Sequence, residues 1–275
     1  MTGFSIDWLD LREAADRRSR NDKLLHQSRH WLGSDREQTA ELNIVDLGAG
    51  TGSTLRAFST AVESDQKSLS WHLLDQDAAL LAEATSRHGA SHRLQTYELD
   101  ITNISALPLE DADLITASAL FDLVSADFID ALVTALRSRC QQKPAGLYAA
   151  LNYDGTTRWT PTHTLDQAVL DAFNRDQRNN KGFGLALGPD AGPYMELMFS
   201  RSGFRVFSAN SPWVLDGADI KLVDALIDGI GDAVSKDPAL DASELKGWIL
   251  FRKAHSLTGT CEVGHTDLLA LPDTV

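Results

Sequence analysis

The chain is poor in cysteine, in basic residues and in long apolar runs. Its two cysteines, Cys140 and Cys261, stand far apart and neither belongs to a Cys-x-x-Cys pair. A disulfide framework and a thiolate zinc site are therefore disfavoured. No run approaches the roughly 20 apolar residues that a membrane-spanning helix needs, and residues 1–22 lack the apolar segment of a signal peptide. We therefore expect a cytoplasmic protein without a membrane partner.

The shortage of basic side chains limits the possible partners. Lysine and arginine total 25 against 39 aspartate and glutamate residues, which gives a formal net charge of -14. A surface of that sign repels the phosphate backbone of DNA and RNA, so no nucleic-acid partner is expected. This charge favours a neutral or cationic small molecule instead. We expect the chain to act as a monomer or a homodimer.

Short apolar runs alternate with helical patterns in the first half of the chain. Continuous apolar runs of this length are typical of buried parallel strands. Strands that alternate with helices imply right-handed crossovers and a doubly wound α/β sheet. The five strands predicted in this half lie in ELNIVDLG, SLSWHLLD, RLQTYELDI, ADLITASAL and AGLYAALN.

The second half of the chain is richer in helical patterns. Two more strands are predicted at 204–209 and 261–271, which brings the total to seven. Apolar stripes at helical spacing occur within residues 1–33 and again within 212–258, between the last two strands. Apolar residues make up 43% of the chain, enough for a sizeable core. We predict a single domain over 1–275.

A glycine-rich loop, VDLGAGTGST at 45–54, is the most informative stretch of the sequence. Gly48, Gly50 and Gly52 lie where the first strand turns into the following helix. Glycines at such a turn allow positive φ and let a ligand approach the backbone closely. The start of a helix also offers free N–H groups, which can hold a nucleotide or the carboxylate of an amino acid.

Three acids stand at the predicted ends of the first three strands. Asp46 lies two residues before the first glycine, where it can accept from loop N–H groups or from a ligand ammonium. Asp75 is positioned for two ribose hydroxyls, and Asp100 for an exocyclic adenine amine. Each of the last two acids, taken alone, is also a common helix cap or turn former. Together with the glycines they predict one crevice for a nucleoside.

The loop and the acids together resemble the class I S-adenosylmethionine-dependent methyltransferases. The matching segments over about residues 40–155 are VDLGAGTG, HLLDQD, ELDI and ADLITASALFDL. The resemblance implies a doubly wound, seven-stranded, mostly parallel Rossmann-like sheet with an antiparallel last strand. It also implies that the loop lines the methionine part of the cofactor, Asp75 the ribose, and Asp100 with Ile101 the adenine. The helices at 212–258 depart from that family, where a short hairpin is frequent.

The predicted cofactor site joins the loop and strand ends to an arginine of the N-terminal helices, which could reach the cofactor carboxylate. Within the single domain we expect a helical cover at 1–33, a cofactor-binding core at 40–152, and a helical substrate cover at 153–192 and 212–258. The full predicted cofactor-binding set is Asp46, Gly48, Ala49, Gly50, Gly52, Asp75, Gln76, Asp100, Ile101, Ser118, Ala119 and Arg20.

The acceptor is expected beyond the ends of the fourth and fifth strands, because open α/β sheets bind ligands at the carboxyl ends of their strands. Methyl transfer from a sulfonium is an in-line displacement, so positioning supplies much of the catalysis. A general base is needed only when the acceptor must lose a proton early. Asp122 and Asp154 are the candidate bases or substrate anchors, and Tyr153 is a candidate hydrogen-bond donor.

A polar, glycine-rich segment at 174–192 is the candidate lid. Its cations Arg175, Arg178 and Lys181 could hold an anionic group of the substrate, although a solvated loop has the same composition. His26 and His30 stand four residues apart without an acid between them, which does not favour a metal site. We therefore expect S-adenosylmethionine as the cofactor and no metal.

Three other functions remain open at this stage. A dinucleotide fingerprint needs a third glycine where this chain has Ser53, which disfavours a NAD-binding oxidoreductase. The same fold and cofactor could serve another transfer, such as that of an aminopropyl group. A non-catalytic cofactor-binding protein would use the same cleft without turnover. The sequence favours a methyltransferase that acts on a small-molecule acceptor.

Overall fold

The centre of the molecule is one eight-stranded, mostly parallel β-sheet with helices on both faces. It is known from a computed structural model that describes residues 4–33, 41–59, 69–140 and 143–273. The strands are ordered β3-β2-β1-β4-β5-β8-β6, and the short β7 pairs only with β8. In chain order they are β1 (Leu42–Leu47), β2 (Leu69–Asp75), β3 (Arg93–Glu98), β4 (Ala112–Ser118), β5 (Gly146–Thr160), β6 (Phe204–Asn210), β7 (Trp213–Leu215) and β8 (Thr260–Pro272).

The helices lie where the apolar stripes of the sequence predict them. Two of them precede the sheet, five separate strands within it, and two stand between β7 and β8. In chain order they are α1 (Ile6–Ser19), α2 (Asp22–Gly33), α3 (Ser53–Ser59), α4 (Ala78–His88), α5 (Ala126–Cys140), α6 (Asp166–Gln177), α7 (Ala191–Arg201), α8 (Ile220–Val234) and α9 (Ala242–Ala254).

The first strand shows why the sheet is buried on both sides. Val45 and Leu47 of β1 pack into a core with α5 and α7, whereas Leu42 and Ile44 pack into a core with α2, α3 and α4. Alternate side chains of a strand point to opposite faces, so a continuously apolar run requires a layer of helices on each side. The predicted doubly wound fold is confirmed.

The sheet contains one strand more than the seven predicted. Trp213–Leu215 forms β7, which pairs antiparallel with β8 over three residues. A run of three residues is too short to show a periodic pattern in the sequence. The predicted helices of residues 212–258 are present as α8 and α9 and follow this strand.

The fifth strand is longer than predicted. We expected it to end at residue 152 and assigned 153–192 to a helical cover, but β5 continues to Thr160 and pairs with β8 along its length. Register shifts interrupt this pairing between Ala149 and Asn152 and again between Tyr153 and Thr157. The sequence of this half, NYDGTTRWT, lacks the apolar pattern of a strand, so the prediction was wrong here. Similarly, β3 ends at Glu98 rather than at Asp100.

A third core cluster joins the cover helices to the far end of the sheet. It includes Ala15 of α1, Trp213 and Leu215 of β7, and side chains of α6, α8 and α9. Trp248 of α9 donates to the Asp166 carboxylate of α6 at 2.8 Å. The cover is therefore packed on the sheet as part of one body and brings α1 to the ends of β4 and β5.

Candidate functional site

The glycine loop has the backbone that its sequence predicts. Gly48, Gly50 and Gly52 have φ values of +61°, +54° and +85°, which side-chain-bearing residues rarely adopt. Space is limited as well. A Cβ on Gly48 would lie 3.3 Å from Leu120, and one on Gly50 would lie 3.0 Å from Leu9 of α1. Larger residues at these positions would therefore strain the loop and displace its cover.

The carboxylate that ends β2 holds the loop. Asp75 accepts from the N–H of Gly50 at 2.9 Å through Oδ2, and from the N–H of Asp77 at 3.0 Å through Oδ1. Partial burial raises the pKa of Asp75, while the N–H groups of Asp77 and Gly50 act in the opposite direction. Each oxygen has a further lone pair for a hydroxyl donor. The predicted place of this acid beside the loop is therefore seen in the structure.

The acid that precedes the glycines is buried beneath the loop. Asp46 is 1% exposed and accepts from the Thr116 hydroxyl at 2.7 Å. Burial raises the pKa of Asp46 to about 6, and the Thr116 hydroxyl and the charge of Arg20 oppose that shift. Asp46 therefore connects the loop to β4 through the Thr116 hydrogen bond and to the N-terminal helices through the charge of Arg20.

Arg20, which caps the C-terminus of α1, joins the N-terminal cover to the site. Its Nη2 donates to Ser53 Oγ at 3.0 Å and to Ser118 Oγ at 2.9 Å, so one guanidinium spans the start of α3 and the end of β4. The residue is 4% exposed, and its Nη1 has no hydrogen-bond partner among residues 4–33, 41–59, 69–140 and 143–273. A buried cationic donor without a partner suits an anionic group of a ligand.

The remaining members of the predicted set surround the loop more loosely. Asp100 lies two residues beyond β3, is exposed, and accepts from the Thr102 N–H at 2.9 Å, which lowers the pKa of Asp100. Ile101 is buried in the core beneath it, and Gln76 is exposed directly after Asp75. The backbone N–H of Ala49 donates to the Leu74 carbonyl at 3.0 Å.

Two strained residues mark the carboxyl ends of β4 and the first part of β5. Ala119 has φ +51° and Leu151 has φ +57°, although neither is glycine. The N–H of Ala119 donates to the Ala150 carbonyl at 2.9 Å, and the N–H of Leu151 donates to Asp267 Oδ1 at 2.8 Å. Left-handed backbone in side-chain-bearing residues persists only where the surroundings hold it, often at functional sites.

Asp122 follows β4 in a short 3-10 turn, Phe121–Leu123. It is 7% exposed, and its Oδ1 accepts no hydrogen bond within the part of the chain that the structure describes. Burial raises the pKa of Asp122 to about 6, while its own N–H, the charge of Arg12 and the N–H of Tyr153 lower it. A buried carboxylate oxygen without a donor requires an explanation, and a bound substrate would provide one.

Tyr153 lies within β5 rather than at its exit. Its hydroxyl donates to Asn174 Oδ1 at 2.9 Å, and burial raises the pKa of Tyr153 above its usual value. The nearby charge of Asp122 contributes to that rise, which places the two groups close together. A tyrosine with a raised pKa stays protonated near neutral pH. Its hydroxyl can therefore donate a hydrogen bond but does not act as a base.

Asp154 is engaged by its own strand. Its Oδ1 accepts from the N–H of Thr156 at 2.9 Å and from the Thr156 hydroxyl at 2.7 Å. The carboxylate occupies the space beside Gly264 of β8, where an added Cβ would lie 2.1 Å from Oδ1. This geometry describes an acid that shapes the irregular pairing of β5 with β8. Its catalytic role stays a prediction.

His265 is the residue of this region that the sequence did not indicate. It lies on β8 directly opposite Tyr153, with ring centroids 6.3 Å apart, and its ring lies 5.1 Å from that of Trp213. The contact of Nδ1 with the Val263 carbonyl at 3.0 Å assigns the proton to Nδ1. Burial lowers the pKa of His265 to about 3, so the ring is neutral at physiological pH. His265 and Tyr153 are more than a hundred residues apart in the sequence, so no local sequence pattern predicts their pairing.

The cations of the predicted lid are already paired. Arg175 binds Asp237 at 2.9 Å, Arg178 binds Asp190 at 2.9 Å, and Lys181 binds Asp176 at 2.7 Å. Each of these charges is therefore neutralised by an acid of the same chain. The structure does not gather the three cations around a common point for an anionic substrate.

The described residues contain neither a cluster for a metal nor a membrane-spanning segment. No group of three or more His, Cys, Asp or Glu side chains lies close enough to hold a metal ion in residues 4–33, 41–59, 69–140 and 143–273. The helices of the same residues are all too short or too polar to cross a bilayer.

Comparison with known proteins gives a family match over the first part of the sheet. Residues 44–143 match a family described as "Methyltransferase domain", a span that runs from β1 through α5. This span contains the glycine loop, Asp75 and Asp122. No curated protein matches the chain in a sequence search.

Solved structures share the fold over nearly the whole chain. A cyclopropane synthase from Mycobacterium tuberculosis has a TM-score of 0.51 at 12% identity, with 98% of this chain and 94% of that one covered. At this identity the similarity establishes the fold alone.

Two more distant structures are enzymes with bound ligands. A phosphoethanolamine N-methyltransferase from Haemonchus contortus, in complex with phosphomonomethylethanolamine and S-adenosylhomocysteine, has a TM-score of 0.43 at 14% identity. The match covers 90% of this chain but 53% of that one, so this chain spans about half the length of that enzyme. A geranyl diphosphate C-methyltransferase from Streptomyces coelicolor has a TM-score of 0.45 at 9% identity, with 90% and 77% covered. Neither similarity carries an argument about the acceptor.

Proposed function

We propose that this chain transfers the methyl group of S-adenosylmethionine to a small-molecule acceptor, and the match of residues 44–143 to a methyltransferase-domain family supports this proposal. The observation that carries the proposal is the strained glycine loop held by Asp75, beside Arg20, whose Nη1 has no hydrogen-bond partner among the described residues. The loop, which Leu9 of α1 covers at Gly50, can present its backbone to a ligand once α1 moves, and the arginine supplies a charge for that ligand's carboxylate.

The residues present fit the cofactor. We assign its carboxylate to Arg20, its ribose hydroxyls to Asp75, its ammonium to the loop above Asp46, and its adenine to the region of Asp100 and Ile101. When bound, the cofactor supplies a sulfonium methyl group as the electrophile. Leu9 of α1 contacts the loop at Gly50, so we propose that α1 shifts when the cofactor enters.

The far side of the site has the features of an acceptor cleft. Ala119 follows β4 and Leu151 lies in the first half of β5, both in strained backbone, and the buried carboxylate of Asp122 lies near the Tyr153 N–H of the same strand. We propose that residues 153–192 and 212–258 cover the acceptor and exclude water from it. Exclusion of water strengthens the polar interactions inside such a cleft.

Calorimetry with S-adenosylmethionine, S-adenosylhomocysteine and NAD tests the proposal. We expect micromolar binding of the first two ligands, and a loss of at least about tenfold in affinity in Asp75→Ala. Asp241→Ala is the matched control, because Asp241 also accepts two backbone N–H groups, at the start of α9 and away from the loop. The control should retain wild-type affinity.

Each outcome of the binding experiment has a definite meaning. Binding of NAD alone would contradict the proposal and support an oxidoreductase. Equal losses in Asp75→Ala and Asp241→Ala would show that the site has been misplaced. Turnover then separates the transfer reactions, because methyl transfer releases S-adenosylhomocysteine, whereas aminopropyl transfer from the decarboxylated cofactor releases methylthioadenosine.

A further inference from the structure

In the region where the acceptor is expected, one oxygen of a buried carboxylate has no hydrogen-bond donor among the described residues. Asp122 Oδ1 is shielded from solvent and accepts no hydrogen bond from any described residue. Asp122 itself lies four residues after Ser118, the last residue of β4, and Ser118 contacts Arg20 in the proposed cofactor site. The oxygen is therefore at the edge of the cofactor site, on the side of β5.

Arg12, the cation that acts on Asp122, is already bound to another carboxylate. Arg12 of α1 influences the pKa of Asp122, but its Nε and Nη2 bind both oxygens of Asp16, at 2.9 and 3.2 Å. Its guanidinium also stacks on the ring of Trp213 at 5.1 Å. Trp213 in turn donates to Asp16 at 2.9 Å. Arg12, Asp16 and Trp213 thus satisfy one another and leave the Asp122 oxygen without a donor.

The other groups around Asp122 make the cleft negative. Tyr153 keeps its proton and His265 on β8 is neutral, and the carboxylate of Asp154 adds a negative charge beside both of them. Arg12 is a cation that acts on both Asp122 and His265, and Asp16 already binds its guanidinium. A charge of this sign favours a cation or a strong N–H donor and disfavours an anionic substrate.

The energetics of burial favour the same ligand. A buried carboxylate oxygen that accepts no hydrogen bond, such as Asp122 Oδ1, is destabilising until a donor reaches it. A protonated amine donates a charge-assisted N–H···O bond and also neutralises the carboxylate, so a cationic amine satisfies Asp122 better than a neutral alcohol of equal shape. The aromatic side chains of Tyr153 and Trp213 line the same region and suit an apolar or cationic body.

We infer that the acceptor is a small amine, and that Asp122 binds the N–H groups of the nitrogen that becomes methylated. This inference rests on the proposed function. The amine binds as an ammonium ion and first releases one proton to water; the lone pair of the resulting neutral amine then forms the new N–C bond while the C–S bond of the sulfonium breaks, and the electron pair of that bond stays on sulfur. The positive charge thereby moves to nitrogen, where the Asp122 carboxylate pairs with it and accepts its N–H.

Matched amines and alcohols test the inference on the protein loaded with S-adenosylhomocysteine. The probes are benzylamine with benzyl alcohol, butylamine with butanol, and tryptamine with tryptophol, each titrated to millimolar concentration and followed by NMR. We expect at least one amine to bind about tenfold more tightly than its alcohol, as one charge-assisted hydrogen bond would allow. Asp122→Asn should abolish the preference, with the affinity for the alcohol changed less than about threefold.

Two further measurements keep the variant interpretable. Asp130→Asn is the matched control, because Asp130 is a carboxylate on α5 that accepts from the Tyr194 hydroxyl at 2.9 Å, away from the cleft; it should keep the amine preference. In the wild type, amine affinity should fall as the pH drops below about 6, where Asp122 gains a proton while the amine stays charged.

The outcomes separate the inference from the proposed function. If S-adenosylhomocysteine does not bind, the proposed function fails and the inference falls with it. If it binds but no amine binds in preference to its alcohol, the inference alone is overturned. A preference that survives unchanged in Asp122→Asn also overturns it, because the carboxylate would then not be the group that selects the amine.

Discussion

Two buried carboxylates hold their protons more tightly than ordinary aspartates do. Burial raises the pKa of both Asp46 and Asp122 to about 6. A carboxyl group of raised pKa binds its proton more strongly in the folded state than in the unfolded state. Its contribution to stability is therefore greatest at low pH and is lost as the pH rises from about 4 towards 6. Neutral pH is thus where these residues are least favourable for folding.

Removal of the Asp122 charge should stabilise the protein without ligands. A shift from 3.8 to about 6 corresponds to about 3 kcal/mol between the two protonation states. We expect Asp122→Asn to raise the free energy of unfolding by roughly 1–3 kcal/mol at pH 8, because the amide has the same shape and no charge. The difference should vanish below pH 4, where the wild-type carboxyl is protonated.

Urea denaturation at pH 8 and at pH 3.5 measures this effect. Asp130→Asn controls for the loss of a carboxylate as such, and its stability should change equally little at both values. A destabilised Asp122→Asn at pH 8 would contradict the prediction and would mean that the carboxylate has a favourable partner in the folded protein.

Among the elements, β8 determines the geometry of the acceptor side. Its fully buried Asp267 accepts from the N–H of Leu151, the hydroxyl of Tyr148 and the N–H of Asn21, at 2.8, 3.1 and 2.8 Å. One carboxylate thus holds the left-handed turn in β5 and the junction between α1 and α2. That junction begins at Arg20, so β8 also positions the cofactor side.

The loss of the Asp267 carboxylate should be costly. Asp267→Ala leaves two buried donors and one partly buried donor without an acceptor and releases the strained backbone of Leu151. We expect the free energy of unfolding to fall by about 3–5 kcal/mol, as for other broken buried networks. Tyr148→Phe removes one of the three donors and should cost only about 1 kcal/mol. Urea denaturation of both variants measures the difference, and equal losses would show that the carboxylate does not act as the centre of the network.

The elements differ in how far their sequence predicts them. The strands β1, β2 and β4 were predicted because they are buried on both faces and therefore read as apolar runs. The second half of β5 was missed, because its polar residues become a strand only through pairing with β8, about a hundred residues later. The same reason explains the omission of β7, which has no partner except β8.

At the scale of the whole molecule, the excess of acidic over basic residues acts electrostatically on an approaching ligand. A net charge of -14 should attract a cationic amine over long range. We expect the association rate of the tightest amine probe to fall several-fold between about 0.01 and 1 M salt, as the Debye length shrinks from about 30 to about 3 Å. Stopped-flow fluorescence of the tryptophans can follow this rate. The matched alcohol should show little dependence on salt, and an equal dependence for both probes would contradict the explanation.

At this scale the sequence predicts the cofactor half of the site better than the acceptor half. The loop, Asp75 and Asp46 are local features of consecutive units; in the structure Asp75 accepts from the Gly50 N–H and Asp46 is buried, whereas their role toward a cofactor stays a prediction. The neutral state of His265 depends on burial against Trp213 and on the charge of Arg12, three residues from three distant parts of the chain. No window of sequence contains that information, so this group emerges only from the fold.

The position of β8 between β5 and β6 has a consequence for the order in which the chain acquires structure during synthesis. The strands of the glycine loop, β1 to β4, are complete once residue 118 has left the ribosome, and their pairings need nothing further. The acceptor side cannot form until residues 260–272 emerge and insert between two strands already made. A nascent chain halted before that point would present a cofactor loop beside an open sheet edge, the kind of surface on which chaperones and neighbouring chains act.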